Sequence, residues 1–521
     1  MTMRGKMSVI RLRLGILSLV LEFMAGCTNS HVDDQAYRER VHALCAAPAA
    51  CRPETPSAVP PVEPPLEGEH AIDFYVQAAL TRNPDILAAE RQVAVQAEIV
   101  PQVTSLPDPV ASGYLFPSLN QTLQTAAGRI ANTLVVTQQF PWCGKLRLRG
   151  EAAKLDTKIA LTQLAETQLK VIEAVKLAYY DIYFNKRALK IIDNSESELR
   201  RDFIDPARAG VTNTPKLDLL RGEVELVKLQ NQRIDLQQRL RQAQADLAKL
   251  LSASPETDLT SAQALDLPPV PEQLDKLYQA ALISRPELEG KLQAITRDER
   301  LVELARLNYY PDVTVGLVWF NVLKDHAFSP IANGENGLGI SLGITLPIWQ
   351  RKLRAGVREA QNQTAKDVRL YQASRDETLR FIRRLTVQAH SQEQQLVLHR
   401  KELVPTAEQT LRIAHEGHQT GKVNPVRVVD NWLQLMNMRL QLAHLETSLG
   451  QTLASLERVI GEQLTHLSDI PGAVNCPPPG TASPEQPRAE PEPGRDGPAR
   501  QREEILPSPK RLDDAPSGGR E

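Results

Sequence analysis

The chain is written twice, and that duplication limits what it can fold into. Ala78-Ala79-Leu80 followed by TRNPDILAAE in the first half is answered by Ala280-Ala281-Leu282 followed by ISRPELEGKL in the second. TQQFPWCGKLRLRGEAAK (137–154) then meets GITLPIWQRKLRAGVREAQ (343–361), and ARAGVTNTPKLDLL (207–220) meets HQTGKVNPVRVVDNWL (418–433). Matches that recur in the same order at similar separations imply two copies of one supersecondary unit. Each copy reads as helix, strand, loop, strand, long helix, turn and helix.

The second copy carries the clearer strand pattern. Leu338, Ile340, Leu342, Ile344 and Leu346 alternate with Gly339, Ser341, Gly343 and Thr345, which puts apolar side chains on one face and small or polar ones on the other. Its partner is PDVTVGLVWF (311–320), and the first copy supplies VASGYLF (110–116) and IANTLVVTQQF (130–140). Aromatics make up only 4% of the chain, yet Tyr114, Phe116, Phe140, Trp142, Tyr309, Tyr310, Trp319, Phe320 and Trp349 lie in or beside these strands. Interfacial girdles of membrane strands show that placement. After each strand pair a long stretch free of Gly and Pro begins, from Glu151 to Asp205 and from Val357 to Val404. The first would span roughly 80 Å as a helix. Four strands are too few to close a membrane barrel, and open edges are not tolerated in lipid. The chain is therefore expected to oligomerise, with three copies supplying twelve strands and a usable lumen.

The ends read differently. Arg4, Lys6, Arg11 and Arg13, then an apolar stretch from Leu14 to Phe23 ending at Met24-Ala25-Gly26-Cys27, form an export signal over 1–27 that resembles a bacterial lipoprotein signal, with Cys27 as the expected lipid-bearing residue; the alternative is a plain secretory signal with an incidental cysteine. A Pro/Ala-rich tether over 28–70, repeats over 71–270 and 271–467, and a disordered Pro-rich tail over 468–521 complete the expected organisation. Cys45 and Cys51 are close enough to pair in an oxidising compartment, whereas Cys143 and Cys476 stand apart and no CxxC occurs. A formal charge of -2 gives no basic field for nucleic acid. Catalytic motifs, metal-site spacing and cofactor loops are missing from the sequence, so an enzyme is not expected and no cofactor is implied.

The ordered set of RNPDI, SRPEL, FPWCGKLRLRGEAA and ELVPTAEQTLRIAHEGHQTGKVNP resembles the TolC-like outer-membrane efflux family over roughly 70–470. The FPWCGK segment is most similar to the heavy-metal branch that serves resistance-nodulation-division pumps. The resemblance implies a mainly α fold with a small β part: a duplicated coiled-coil periplasmic barrel of long helices plus four transmembrane strands per chain, closing as a twelve-stranded barrel in a homotrimer. It also implies a periplasmic adaptor, an inner-membrane pump and outer-membrane lipid as partners, with the chain as the passive duct for metal ions or small toxic compounds. Aligned on Gly421, the second tip matches a segment that carries two aspartates at the family's aperture. Asp430 matches the second of them and Arg427 replaces the first, so Arg427 and Asp430 are the expected periplasmic gate, with Lys216 and Leu219 as their counterparts in the first tip. Gly210, Val211, Gly421 and Lys422 are the expected adaptor-docking tips.

Two further features are open to more than one reading. His415 and His418 have a spacing that allows both rings onto one helical face, although exposed histidines at a tip are usually only polar residues. Lys145, Arg147 and Arg149, echoed by Arg351, Lys352 and Arg354, either reach lipid phosphates or merely solvate helix starts. The competing class is a periplasmic coiled-coil scaffold without transport. It accounts for the long helices but not for two aromatic-flanked strand pairs at matched places.

Overall fold

The computed structural model describes residues 66, 68–115, 124–125, 127–210, 215–323, 328 and 334–464. The expected signal, Cys27, most of the tether, Val211 and the tail lie outside the described residues. The first repeat runs through β1 (Gly68–His70), α1 (Ile72–Arg82), α2 (Pro84–Thr104), β2 (Val110–Leu115), β3 (Gln124–Thr125), β4 (Gly128–Phe140) and α3 (Lys145–Leu199). A π-helical turn (Arg200–Ile204), α4 (Asp205–Arg208), α5 (Lys216–Leu250) and β5 (Leu259–Ser261) follow. The second repeat has α6 (Leu274–Ser284), α7 (Pro286–Leu307), β6 (Val313–Leu323), β7 (Gly337–Ile344) and α8 (Gln350–Leu398). It ends with another π turn (His399–Leu403), α9 (Val404–Gln419) and α10 (Pro425–Ile460).

The two helix starts that announced the duplication share a design. Pro84 and Pro286 each occupy the first turn, where a missing N–H costs nothing. Asn83 caps α2 by accepting from the Asp85 N–H at 2.9 Å, and its amide donates to the Leu250 carbonyl at 2.9 Å, satisfying the end of α5. Arg285 stands in the equivalent place and donates instead to Thr378 Oγ1 at 2.9 Å and to Glu287. One turn thus joins α2 to α5, and its copy joins α7 to α8.

Each ascending helix ends sooner than the absence of Gly and Pro suggested. Pro206 and Pro405 lie just beyond a π turn in which one extra residue per turn lets the chain pass a proline without breaking. The short parallel pair β1 and β5 was not expected either, and it takes in the last three residues of the stretch read as tether. Tyr75 holds this pair by donating to the Thr260 carbonyl at 2.9 Å.

The helices form a ribbon ordered α5, α3, α10, then α8 and α9. The repeats meet where α3 crosses α10, with Tyr75, Val175, Tyr179 and Tyr180 packed with Leu247, Leu251 and Ala454. A Cβ on Gly450 would come within 2.6 Å of the Tyr180 ring, so this close crossing requires glycine. Nearer the hairpin ends, Phe203, Ile204, Leu226 and Leu229 pack with Val429, Trp432 and Met436. Among the described residues no helix is long and apolar enough to cross a membrane.

Candidate functional site

The four long strands form one antiparallel sheet in the order β2-β4-β6-β7, with β3 paired to β4. Register fixes which side chains share a face. Leu134, Trp319 and Leu338 form one row across the sheet, and Val136, Leu317 and Ile340 form the next. All six are exposed, with Ile340 at 77%. The opposite face has Thr137, Gly316 and Ser341 in one row and Gln139, Thr314 and Gly343 in another. One face is therefore apolar, as the alternation in the second copy predicts, and the other is small and polar in these rows but also carries Val135, Val318 and Phe320 in the rows beyond them. Among the described residues the outer strands β2 and β7 each pair on one side only, which leaves the sheet two open edges.

A charge pair with a buried lysine joins sheet to helices. Gly144 adopts a left-handed φ of 93°, turning the chain so that Lys145, 4% exposed, enters the junction. Its ammonium donates to Asp312 Oδ1 at 2.7 Å and to the Tyr310 carbonyl at 3.3 Å. Asp312 also accepts from the Trp142 N–H at 2.8 Å, while its own N–H donates to Thr345 Oγ1 at 2.8 Å. Burial opposes ionisation of Asp312, but Lys145 and the Trp142 N–H outweigh it and hold the carboxyl below its usual range. Trp142 stacks on Tyr310 with centroids 5.2 Å apart. The FPWCGK motif is thus the joint between β4, β6 and α3.

At the far end, Gly210 and Gly421 both adopt left-handed φ, 68° and 72°, as tight reversals require. Lys422 is exposed and donates its backbone N–H to the Gly417 carbonyl at 2.8 Å. Asn424 then caps α10 by accepting from the Val426 N–H at 2.9 Å. Asp430 lies on the first turns of α10 and pairs with Arg221 of α5 at 2.9 Å, both side chains half exposed. Arg427 is exposed and, among the described residues, has no ion pair. The second tip therefore reaches the first through Asp430, and Arg221 is the partner of Asp430 that the sequence reading missed. Nothing local marks it, because its partner lies 209 positions away.

His415 and His418 do not converge on a common point. His415 meets Gln419 at 2.9 Å, whereas His418 Nδ1 faces the Val423 carbonyl at 3.4 Å. No group of three or more metal-ligating side chains occurs among the described residues.

A second charged knot binds α3, α7 and α8. The Arg297 guanidinium reaches Asp298 at 2.8 Å, Asp156 at 3.1 Å and Asp367 at 3.7 Å. Asp298 is 1% exposed and its Oδ2 has no donor. Burial, with Asp367 beside it, raises the Asp298 pKa above the ordinary carboxylate range despite Arg297. The folded chain thus keeps a proton that the unfolded chain releases. That proton contributes stability at low pH, and the contribution is lost as pH rises through the folded-state value. The melting temperature of the wild type relative to Asp298→Asn should fall as pH is raised above about 4. A difference that stays constant across the range contradicts this.

The second repeat, residues 277–462, matches the family model described as outer membrane efflux protein. The chain is 23% identical over 322 residues to the cobalt-zinc-cadmium resistance protein CzcC of Cupriavidus metallidurans, covering 61% of this chain and 74% of that protein. Among solved structures it superposes on CusC with a TM-score of 0.64 at 17% identity, covering 80% of this chain and 99% of that one. The outer membrane protein VceC of Vibrio cholerae gives 0.63 at 17% identity, covering 75% and 96%. The resemblance read from the ordered motifs is borne out in sequence and in fold.

Proposed function

From the premise that this chain is similar to TolC-like outer-membrane efflux proteins in sequence and shares their fold, we propose that it is the channel subunit of a tripartite efflux system. Three copies close a twelve-stranded barrel in the outer membrane, and their helices continue it as a tunnel into the periplasm. The observation that carries this is the sheet: an exposed apolar face, an opposite face of more mixed and largely small or polar residues, and two edges that, among the described residues, stay open and need other copies to close them. A scaffold protein would have no use for such a face.

The duct is passive, and an inner-membrane pump of the resistance-nodulation-division type supplies the free energy. CzcC is described as a cobalt-zinc-cadmium resistance protein. Metal ions are accordingly the preferred cargo, with small toxic compounds second. The tips at Gly210, Val211, Gly421 and Lys422 dock a periplasmic adaptor, and lipid on Cys27 adds an anchor.

Arg427 and Asp430 form the gate. In the trimer, threefold symmetry repeats these charges around the axis, and Arg427 ties neighbouring subunits while Arg221 holds Asp430 within its own chain. Each half-exposed pair is worth at most about 1 kcal/mol, so the latch is set to open rather than to seal. Purified protein in a planar bilayer should conduct, and Arg427→Ala or Asp430→Ala should raise the single-channel conductance. Failure of the protein to conduct sinks the duct, while unchanged conductance in both variants sinks only the gate.

A further inference from the structure

We propose that Arg147 and Arg149 on α3, with Arg351, Lys352, Arg354 and Arg358 on α8, form a collar that binds the headgroup phosphates of anionic phospholipid in the periplasm-facing leaflet of the outer membrane. This rests on the barrel reading given above.

Position is the first argument. Phe140, Val313 and Ile344 share one row of the sheet, so β4 and β7 end at the same level. α3 and α8 start a short turn beyond those ends, flanking α7. Trp142, Tyr310 and Trp349 are exposed between the apolar face and the cations, at the level where interfacial aromatics sit. The collar continues the lipid-facing surface at the depth of the headgroups.

Charge is the second. Arg147 pairs with Glu151 yet stays 70% exposed. Among the described residues the other five have no ion pair, and Asp312, on whose carboxylate Arg149 also acts electrostatically, is bonded by Lys145. Neither α3 nor α8 has an acid in its first turn, although a helix start favours negative charge. Arg351, Arg354 and Arg358 fall on one face at i, i+3 and i+7, where like charges repel. An external anion relieves that repulsion on α8, and on α3 the exposed Arg149, which has no ion pair among the described residues, stands at the matching place after the strands. Guanidinium forks match phosphate oxygens in pairs, which suits a row of arginines better than a row of lysines.

The test uses the full-length assembly, reconstituted in bilayers of phosphatidylcholine with and without phosphatidylglycerol and released for native mass spectrometry. The wild type should retain phosphatidylglycerol in preference to phosphatidylcholine, and the preference should shrink at high salt. The variant R147Q/R149Q/R351Q/K352Q should insert normally and lose the preference by about tenfold. The milder R351Q/R354Q, confined to exposed positions on α8, should lose part of it. Equal retention by the wild type and both variants overturns the collar. Failure of the wild type to insert even into phosphatidylcholine overturns the barrel reading itself, and the collar with it.

Discussion

Leu317→Arg combined with Ile340→Arg should abolish assembly in the outer membrane. The two residues face each other across β6 and β7 in the middle of the sheet, 51% and 77% exposed. An arginine facing lipid at mid-depth costs about 2–4 kcal/mol, and threefold assembly repeats the cost for every copy. Heat-modifiable migration on a gel should be lost, and the chain should leave the outer-membrane fraction. Gln139→Arg lies in a row of the opposite face and should assemble, with altered conductance. Equal loss at both faces would mean that the sheet does not separate lipid from water.

Val224→Asp with Val227→Asp should separate the subunits without unfolding them. Leu217, Leu220, Val224, Val227 and Ile234 lie exposed along α5 at the spacing of a coiled-coil seam, on the free edge of the ribbon. The other edge, α8 and α9, exposes Val387, Val397 and Ile413. A closed ring of three ribbons brings these edges together, and each valine covered contributes about 1.5–3 kcal/mol. Two carboxylates in the seam remove that gain and add buried charge. The variant should run as a single chain with its helical content retained, and trimers of wild-type stability would contradict the closure.

What the sequence revealed follows from how far each signal reaches. Alternation over Leu338–Leu346 is local, and it located β7 and its apolar face. The matched RNPDI and SRPEL starts are also local, because a cap and a first-turn proline act within a few residues. The π turns at Arg200–Ile204 and His399–Leu403 escaped notice, since Pro206 and Pro405 mark where a helix is disturbed but not how the preceding turn absorbs them. β1 and β5 escaped because strands of three residues carry no periodicity. The candidate site divided in the same way. Gly210 and Gly421 were legible as reversals, whereas Arg221 was not, being joined to Asp430 only by the packing of one repeat on the other. FPWCGK was recognisable as a motif, but its purpose became clear only with Asp312, whose partner Lys145 lies 167 residues away.

The central claim is that this sheet is one third of a closed barrel. Electron cryo-microscopy of the full-length protein in lipid nanodiscs addresses it directly. The account predicts three chains around one axis, twelve strands through the bilayer with β2 of each copy paired to β7 of the next, and a continuous helical tunnel below. A monomer, or an assembly whose sheets lie outside the bilayer with their edges unpaired, would contradict it.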